Sequence, residues 1–207
     1  MSHYTVTVVL PEAPKNANHV NEMLNRILAP FDENVQVEPY RDHIKPAPAD
    51  WRTTDINRIP WPYSVVREHD RDIDLGDNEA VAAFLNKRYA PDEEYFVDEQ
   101  GLYTMSTYNP ESKWDWWSIG GRWAGFYTLT NGRNADMARK GDILPAESDG
   151  GHQTYAVIDA EGKWHGKGRM GWWAISTNEV DDFDEQFQKF WSELSDDTWV
   201  VVLDLHI

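Results

Sequence analysis

The chain has 207 residues, of which 41% are hydrophobic and 13% aromatic, and its formal net charge is −17. This composition is typical of a globular protein and excludes a wholly disordered one. The sequence contains no cysteine, which excludes disulfides, thiol nucleophiles and thiolate–zinc sites.

Hydropathy and charge indicate the cellular location of the protein and the partners that it does not bind. No apolar run approaches the roughly 20 residues that span a bilayer, and residues 1–15 lack the basic start and apolar stretch of a signal peptide. We therefore expect a cytoplasmic protein that does not enter a membrane. The excess of acidic side chains repels nucleic acid at long range, so no direct nucleic-acid binding is expected.

The first half of the chain predicts alternating strands and helices. Alternating apolar residues predict a strand at residues 4–10, and an i, i+3, i+4 pattern predicts a helix at residues 16–29. A second strand at residues 34–40 would complete a β-α-β start. Residues 44–62 are rich in proline and predict an ordered loop, and a second helix is expected at residues 77–89.

The second half predicts short strands, a helix and a long final strand. The strand-like segments are residues 95–97, 102–105, 122–130, 154–159 and 172–176. A helix over residues 181–194 precedes Trp199–His206, which is apolar enough for a central strand that is covered on both faces. The pattern predicts one α+β domain over residues 1–207. Its sheet would be mixed and mostly antiparallel, with a C-terminal helix before the final central strand and the first and last strands side by side.

The segment SKWDWWSIGGRW, residues 112–123, has the highest density of tryptophan in the chain. Ser112 can cap a helix and Asp115 can complete a capping box, which predicts a short helix at residues 113–118. Gly120 and Gly121 would end this helix, and Arg122 would begin a strand.

This segment also predicts a ligand site. A short helix turns only one side toward the core, so some indole surface remains for other contacts, and an arginine beside two glycines can converge with backbone N–H groups on an anion. Aromatic surface with an arginine suits a nucleotide. The predicted binding residues here are Trp114, Asp115, Trp117, Gly120, Gly121, Arg122 and Trp123. The structural alternative is a tryptophan core in which Arg122 pairs with Asp115, and a protein-binding surface is a further alternative.

A second glycine-rich segment, KWHGKGRMGWW, begins at Lys163. It contains a G-x-G-x-x-G pattern that ends at Gly171, but a strand rather than a helix is expected after it, so it does not match the dinucleotide-binding fingerprint. A glycine-rich hairpin that folds over residues 114–123 would add cationic contacts from Lys167 and Arg169. We therefore include Arg169 among the predicted ligand-binding residues.

The last strand carries the candidate catalytic pair. Asp204 and His206 lie two residues apart and so share one face of the strand. His3 and Thr5 would face them if the terminal strands pair. An Asp–His pair can orient a general base, and a hydrogen bond at the edge of the core is the alternative. The histidine spacing matches no metal-binding motif, so neither a metal nor a cofactor is predicted.

Four segments together resemble a family of small proteins encoded by tailed phages and prophages, many of them in actinobacterial hosts. They are YNPESKWDWWSIGGRW, ARKGDI at Ala138–Ile143, GKWHGKGRMGWW and the final DLHI. The resemblance implies an accessory protein made in the infected host cell. Such proteins often counter host defence, either by capturing nucleotide signals or by blocking a defence protein.

Three functions are compatible with the sequence. The first is a binder of a small anionic, nucleotide-like ligand through the tryptophan–glycine–arginine segment, with no reaction catalysed. The second is an acidic inhibitor that imitates nucleic acid on a host protein. The third is a hydrolase of a nucleotide that uses Asp204 and His206. The sequence favours the first function, and it predicts no oligomeric state.

Overall fold

The computed structural model describes residues 2–145, 152–170 and 176–207. The α-helices of these residues are α1 Ala17–Leu28, α2 Tyr63–His69, α3 Asn78–Tyr89 and α4 Phe183–Glu193. The strands are β1 His3–Val9, β2 Tyr40–His43, β3 Tyr95–Asp98, β4 Gly101–Ser106, β5 Trp116–Ile119, β6 Tyr127–Thr128, β7 Asn134–Ala135, β8 Met137–Arg139, β9 Ala156–Ile158, β10 Trp164–Gly166, β11 Arg169–Met170, β12 Ser176–Thr177 and β13 Trp199–His206. These elements confirm the α+β class.

The chain forms two compact units, and the larger one comprises Met1–Val35 with Asn109–Ile207. The smaller unit is Gln36–Tyr108. The prediction of one domain stays a prediction, and each unit is described by itself. No helix within the described ranges is long and apolar enough to cross a membrane.

The larger unit contains a mixed sheet with strand order β10-β9-β1-β13-β5, and β8 also pairs with β13. Strands β1 and β13 are antiparallel over their whole length, from the pair His3↔His206 to the pair Val9↔Val200, whereas β1 and β9 are parallel. The predicted pairing of the terminal strands is therefore confirmed, as is the central final strand. All residues of β13 from Val200 to Leu205 are buried, because both faces of this strand are covered.

The two faces of this sheet have different coverings. Helix α1 is capped by the Asn16 side chain, which accepts a hydrogen bond from the His19 N–H, and it packs its apolar stripe on one face. On the other face, residues of α4 such as Trp191 pack against Val200 and Val202. Toward the end of β13 that face becomes polar, and it is here that the candidate catalytic residues lie.

The smaller unit combines a three-stranded antiparallel sheet, of order β2-β4-β3, with α2 and α3. The prediction of an ordered proline-rich loop fits this unit, because Trp51 and Ile59 of that loop are buried in its core. Helix α2 follows the loop and has no counterpart in the predicted elements. The chain begins β-α-β, but its second strand is β2 rather than residues 34–40, and it belongs to this smaller sheet.

One further predicted strand differs from the structure, and another falls almost wholly outside the described residues. Residues 122–130 do not form one strand, because Gly121–Trp123 is a turn of 3-10 helix and Gly125 has a φ of 82° before the short strand β6. The predicted strand at 172–176 lies outside the described residues except for Ser176, which begins β12.

The Asn109 side chain bonds three backbone groups and so connects residues 30–32 with the start of the segment before β5. Its buried side-chain amide donates to the carbonyl oxygens of Pro30 (2.8 Å) and Asp32 (3.0 Å), and its Oδ1 accepts from the Glu111 N–H (3.0 Å). This residue therefore sets where the segment before β5 begins.

We expect Asn109→Ala to lower the free energy of unfolding by about 2 kcal/mol, because it leaves buried backbone groups without partners. Urea denaturation followed by circular dichroism measures the loss. Asn131→Ala is the matched control, since Asn131 is exposed and, within the described ranges, its side chain bonds only the neighbouring Arg133 N–H. Equal stability of the two variants would contradict the assigned role.

Candidate functional site

Residues 113–118 of the tryptophan–glycine segment form no helix, so that prediction was wrong. Trp116–Ile119 is β5, which pairs with β13 in the register Trp116↔His206 to Ile119↔Leu203. The Asp115 N–H donates to the His206 carbonyl, and the Gly120 N–H donates to the Val202 carbonyl. Strand β13 thus provides the hydrogen-bond partners that these backbone groups would have found within a helix. This pairing with a distant strand outweighs the local capping signal at Ser112.

The four tryptophans of the segment lie in different environments. Trp114 is 9% exposed in the core beneath α1, and its Nε1–H donates to the Leu28 carbonyl (3.1 Å). Trp117 packs partly against the same core, and Trp123 is half-buried. Trp116 points to the opposite face of the sheet and is 51% exposed. Trp114 is therefore a core residue, whereas the sequence interpretation made it a stacking surface.

Asp204 carries a carboxylate that is almost completely buried, with 1% of the residue exposed. His3 approaches it from β1, with Nδ1 2.8 Å from Oδ1. The Arg122 backbone N–H donates to its Oδ2 at 3.0 Å. A buried carboxylate requires such partners, because the loss of water would otherwise be very costly. The predicted pairing of His3 with the last strand is present.

A second His–Asp pair lies directly beside the first. The Nδ1 atom of His206 is 2.6 Å from Oδ1 of Asp115. The imidazole rings of His3 and His206 have their centroids 4.9 Å apart at an interplanar angle of 70°. The Trp116 indole contacts both rings by its edge or face, at 6.0 and 6.4 Å between centroids. We call these five residues, His3, Asp115, Trp116, Asp204 and His206, the imidazole cluster.

The two central glycines explain how the chain reaches Asp204. Gly121 has a φ of 50°, and a Cβ at this position would collide with the Asp204 side chain and with Ser118 Oγ. Gly120 has a φ of 68°, and a Cβ there would collide with the Asp136 carboxylate. That carboxylate accepts hydrogen bonds from the Gly125 and Phe126 N–H groups. The bare faces of both glycines are therefore occupied by carboxylates, and their contact with a ligand stays a prediction.

The Arg122 side chain does not form the ion pair with Asp115 that the structural alternative predicted. Asp115 pairs with His206 rather than with Arg122. Arg122 is exposed, and its guanidinium forms no ion pair with any carboxylate of the described ranges. The Arg122 guanidinium is therefore available to an anion, on the residue whose backbone N–H contacts Asp204.

A pocket of about 250 Å³ lies elsewhere in the larger unit, and it opens to solvent. Its lining residues are Pro110, Lys113, Trp164, Gly166, Gly168, Arg169, Asn178 and Val180. We call it the Lys113–Arg169 pocket. It brings the start of the tryptophan–glycine segment together with the glycine-rich hairpin, so Arg169 does approach that segment, at Lys113. The remaining seven predicted ligand-binding residues, Trp114, Asp115, Trp117, Gly120, Gly121, Arg122 and Trp123, do not line it.

The walls of this pocket follow from local packing. The Trp164 indole contacts the Phe31 ring at 5.2 Å and the Tyr4 ring at 6.4 Å between centroids. A Cβ at Gly166 would meet Nε1 of Trp164, and a Cβ at Gly168 would meet Oγ of Ser176. These glycines allow the hairpin to lie flat against the indole and β12.

The two cations of the pocket influence each other. Partial burial lowers the pKa of the Lys113 ammonium, the nearby charge of Arg169 lowers it further, and Glu111 opposes this shift. Neither Lys113 nor Arg169 forms an ion pair with a carboxylate in the described part of the chain. Two like charges that lie close together and form no ion pair offer an electrostatic site for an anion, although Glu111 offsets part of their positive charge.

The sequence interpretation missed Lys113, Trp164 and Asn178. Lys113 and Trp164 stand inside the segments that the sequence singled out, but their apposition depends on the fold. Asn178 gives no signal in the sequence, and in the structure it has a φ of 54° after β12. Comparison of the chain with protein-family models, curated proteins and solved structures gave no match.

Gly121→Ala tests whether close contact with Asp204 determines the choice of glycine. A Cβ in left-handed backbone costs about 1–2 kcal/mol, and the collision with Asp204 and Ser118 adds about 1–3 kcal/mol. We expect the sum as a loss in the free energy of unfolding, measured by urea denaturation. Gly132→Ala is the control, because Gly132 has a φ of 79° and no atom of the described residues lies within 4 Å of its Cβ position. A loss no larger than that of Gly132→Ala would show that the collision is relieved at no cost.

Proposed function

We propose that the protein binds a small anionic, nucleotide-like ligand in the Lys113–Arg169 pocket. The observation that carries the proposal is the convergence of two cations, without carboxylate partners in the described ranges, on a pocket with an indole wall. A phosphate group would accept hydrogen bonds from the Lys113 ammonium and the Arg169 guanidinium. The Trp164 face would contact the base, which is a sequence-tolerant form of recognition.

The site differs in position from the sequence interpretation but keeps its chemistry. The cation is Arg169 with Lys113 rather than Arg122, and the aromatic wall is Trp164 rather than Trp114. Glycines again shape the site, because Gly166 and Gly168 let the hairpin pack closely against Trp164 and Ser176. The volume of about 250 Å³ is slightly below the roughly 300–1,000 Å³ of typical ligand sites, which favours a small ligand over a large one.

The resemblance to tailed-phage proteins suggests a biological role for this binding. A phage accessory protein that captures a nucleotide signal would counter host defence without catalysing a reaction. Binding in a pocket of this size and charge is the chemistry that such capture requires.

Titration with inorganic pyrophosphate and with nucleoside monophosphates tests the proposal, with isothermal calorimetry as the primary measurement. We expect binding by the wild type and an about tenfold weaker affinity in Arg169→Gln, because a hydrogen bond to a charged group contributes about 1.5–3 kcal/mol. Arg133→Gln changes the net charge by the same amount at an exposed position away from the pocket lining. It should bind as the wild type does. No heat of binding across the panel, or equal weakening in both variants, would reject the proposal.

The pH dependence of this binding follows from Lys113. Its pKa in the free protein is below the ordinary value, and a bound anion would raise it again. The complex therefore holds the proton more tightly than the free protein does, so the affinity should fall as the pH rises through the lowered pKa of Lys113. Calorimetry over an alkaline pH series measures this. An affinity that rises with pH over the same range would contradict the placement of the anion beside Lys113.

A further inference from the structure

The imidazole cluster has a geometry that anion binding at the Lys113–Arg169 pocket does not use. Both imidazoles contact their carboxylates through Nδ1. A neutral imidazole that donates Nδ1–H to a carboxylate carries its lone pair on Nε2, and the protonated ring donates from Nε2. Within the described residues neither Nε2 atom has a hydrogen-bond partner.

Both rings are positioned by rigid elements and reach solvent. His3 and His206 are opposed on the central strands β1 and β13, and each side chain keeps 14% of its surface exposed. Their centroids are 4.9 Å apart, which is close enough for one small group to lie beside both rings.

The surroundings select the chemistry of that group. Arg122 lies beside Asp204 through its backbone N–H, and its exposed guanidinium, which has no carboxylate partner in the described chain, adds a positive charge to this end of the sheet. Trp116 supplies an exposed indole face at the edge of the two rings. A substrate with one negative charge and an aromatic group fits these two features.

We propose that His3 and His206 form an acid–base pair that hydrolyses a small phosphodiester. One imidazole takes a proton from a water molecule at Nε2 while the water oxygen forms a bond to phosphorus. The bond from phosphorus to the leaving oxygen breaks, and the other ring, as the imidazolium, gives its Nε2 proton to that oxygen. The products are a phosphomonoester and an alcohol, and the number of protons on the pair is unchanged. Asp204 and Asp115 are positioning residues that hold the rings and stabilise their protonated forms.

Hydrolysis of bis(p-nitrophenyl) phosphate and of cyclic mononucleotides by the full chain tests this activity. We expect His3→Asn and His206→Asn each to lower kcat about 100-fold, as general acid–base groups do. The wild type should show a bell-shaped pH dependence of kcat/KM that is set by the pair with Asp115, Asp204 and Arg122 around it. Either histidine variant should lose one limb of the bell.

His43→Asn is the matched control, because His43 also pairs with a carboxylate, that of Asp98, but lies in the other compact unit. It should hydrolyse at the wild-type rate. Asp115→Asn tests positioning in a half-exposed group that leaves the buried Asp204 in place. It should lower kcat more than it changes KM, because the amide no longer holds the His206 ring through a charged hydrogen bond.

Three outcomes would overturn the proposal. The first is a wild-type rate no higher than that of the His3→Asn/His206→Asn double variant on every substrate. The second is a loss of kcat in His43→Asn as large as that in the two single variants. The third is a pH profile of kcat/KM that both single variants share with the wild type. Circular dichroism of each variant separates loss of activity from loss of fold. Since the substrates are followed by product formation, this test is independent of ligand binding at the Lys113–Arg169 pocket.

Discussion

The arrangement of the larger unit depends on one buried carboxylate, that of Asp204 on the central strand β13. A charge at this depth is tolerated only with hydrogen-bond partners, and they come from two distant parts of the chain, the His3 imidazole and the Arg122 N–H. To place that N–H, the chain must pass directly over the carboxylate, which only glycine permits at position 121. The buried charge thus links both terminal strands with the turn after β5.

The same constraint explains why one short segment contains so many tryptophans. Once β5 is paired with β13, successive residues point to opposite faces of the sheet. Trp117 faces the core beneath α1, and Trp116 faces the rings of His3 and His206. Trp114, before the strand, closes the core through its bond to Leu28. The segment is therefore partly core and partly exposed surface, so the two interpretations of the sequence each describe some of its rings.

Much of the fold could be predicted because its strongest elements carry their signal locally. The apolar run of β13 and the helical stripe of α1 match the structure almost residue for residue, since burial on both faces or on one stripe dictates composition. The helix at residues 113–118 could not be rejected in this way, because its capping residues are real local signals and the competing partner, β13, lies about 80 residues away. The candidate site was predicted in part for a related reason. Arg169 and the pair Asp204 and His206 lie in segments with a local signal, whereas the position of Lys113 near Arg169 depends on long-range pairing. That contact, and the apposition of His206 with Asp115, exist only after the strands pair.

The strongly acidic composition and the proposed anion sites are compatible because they act over different distances. The field of 17 excess negative charges extends over the Debye length, about 8 Å at physiological salt, and is screened beyond it. Lys113 and Arg169 act at contact distance, where screening is weak and hydrogen bonds are directional. A small ligand places one or two charges inside this local field, whereas a nucleic-acid strand must extend many charges across the acidic surface. The net charge of the protein therefore favours a small ligand over a large anion. A few cations without carboxylate partners in the described ranges favour a ligand of negative charge.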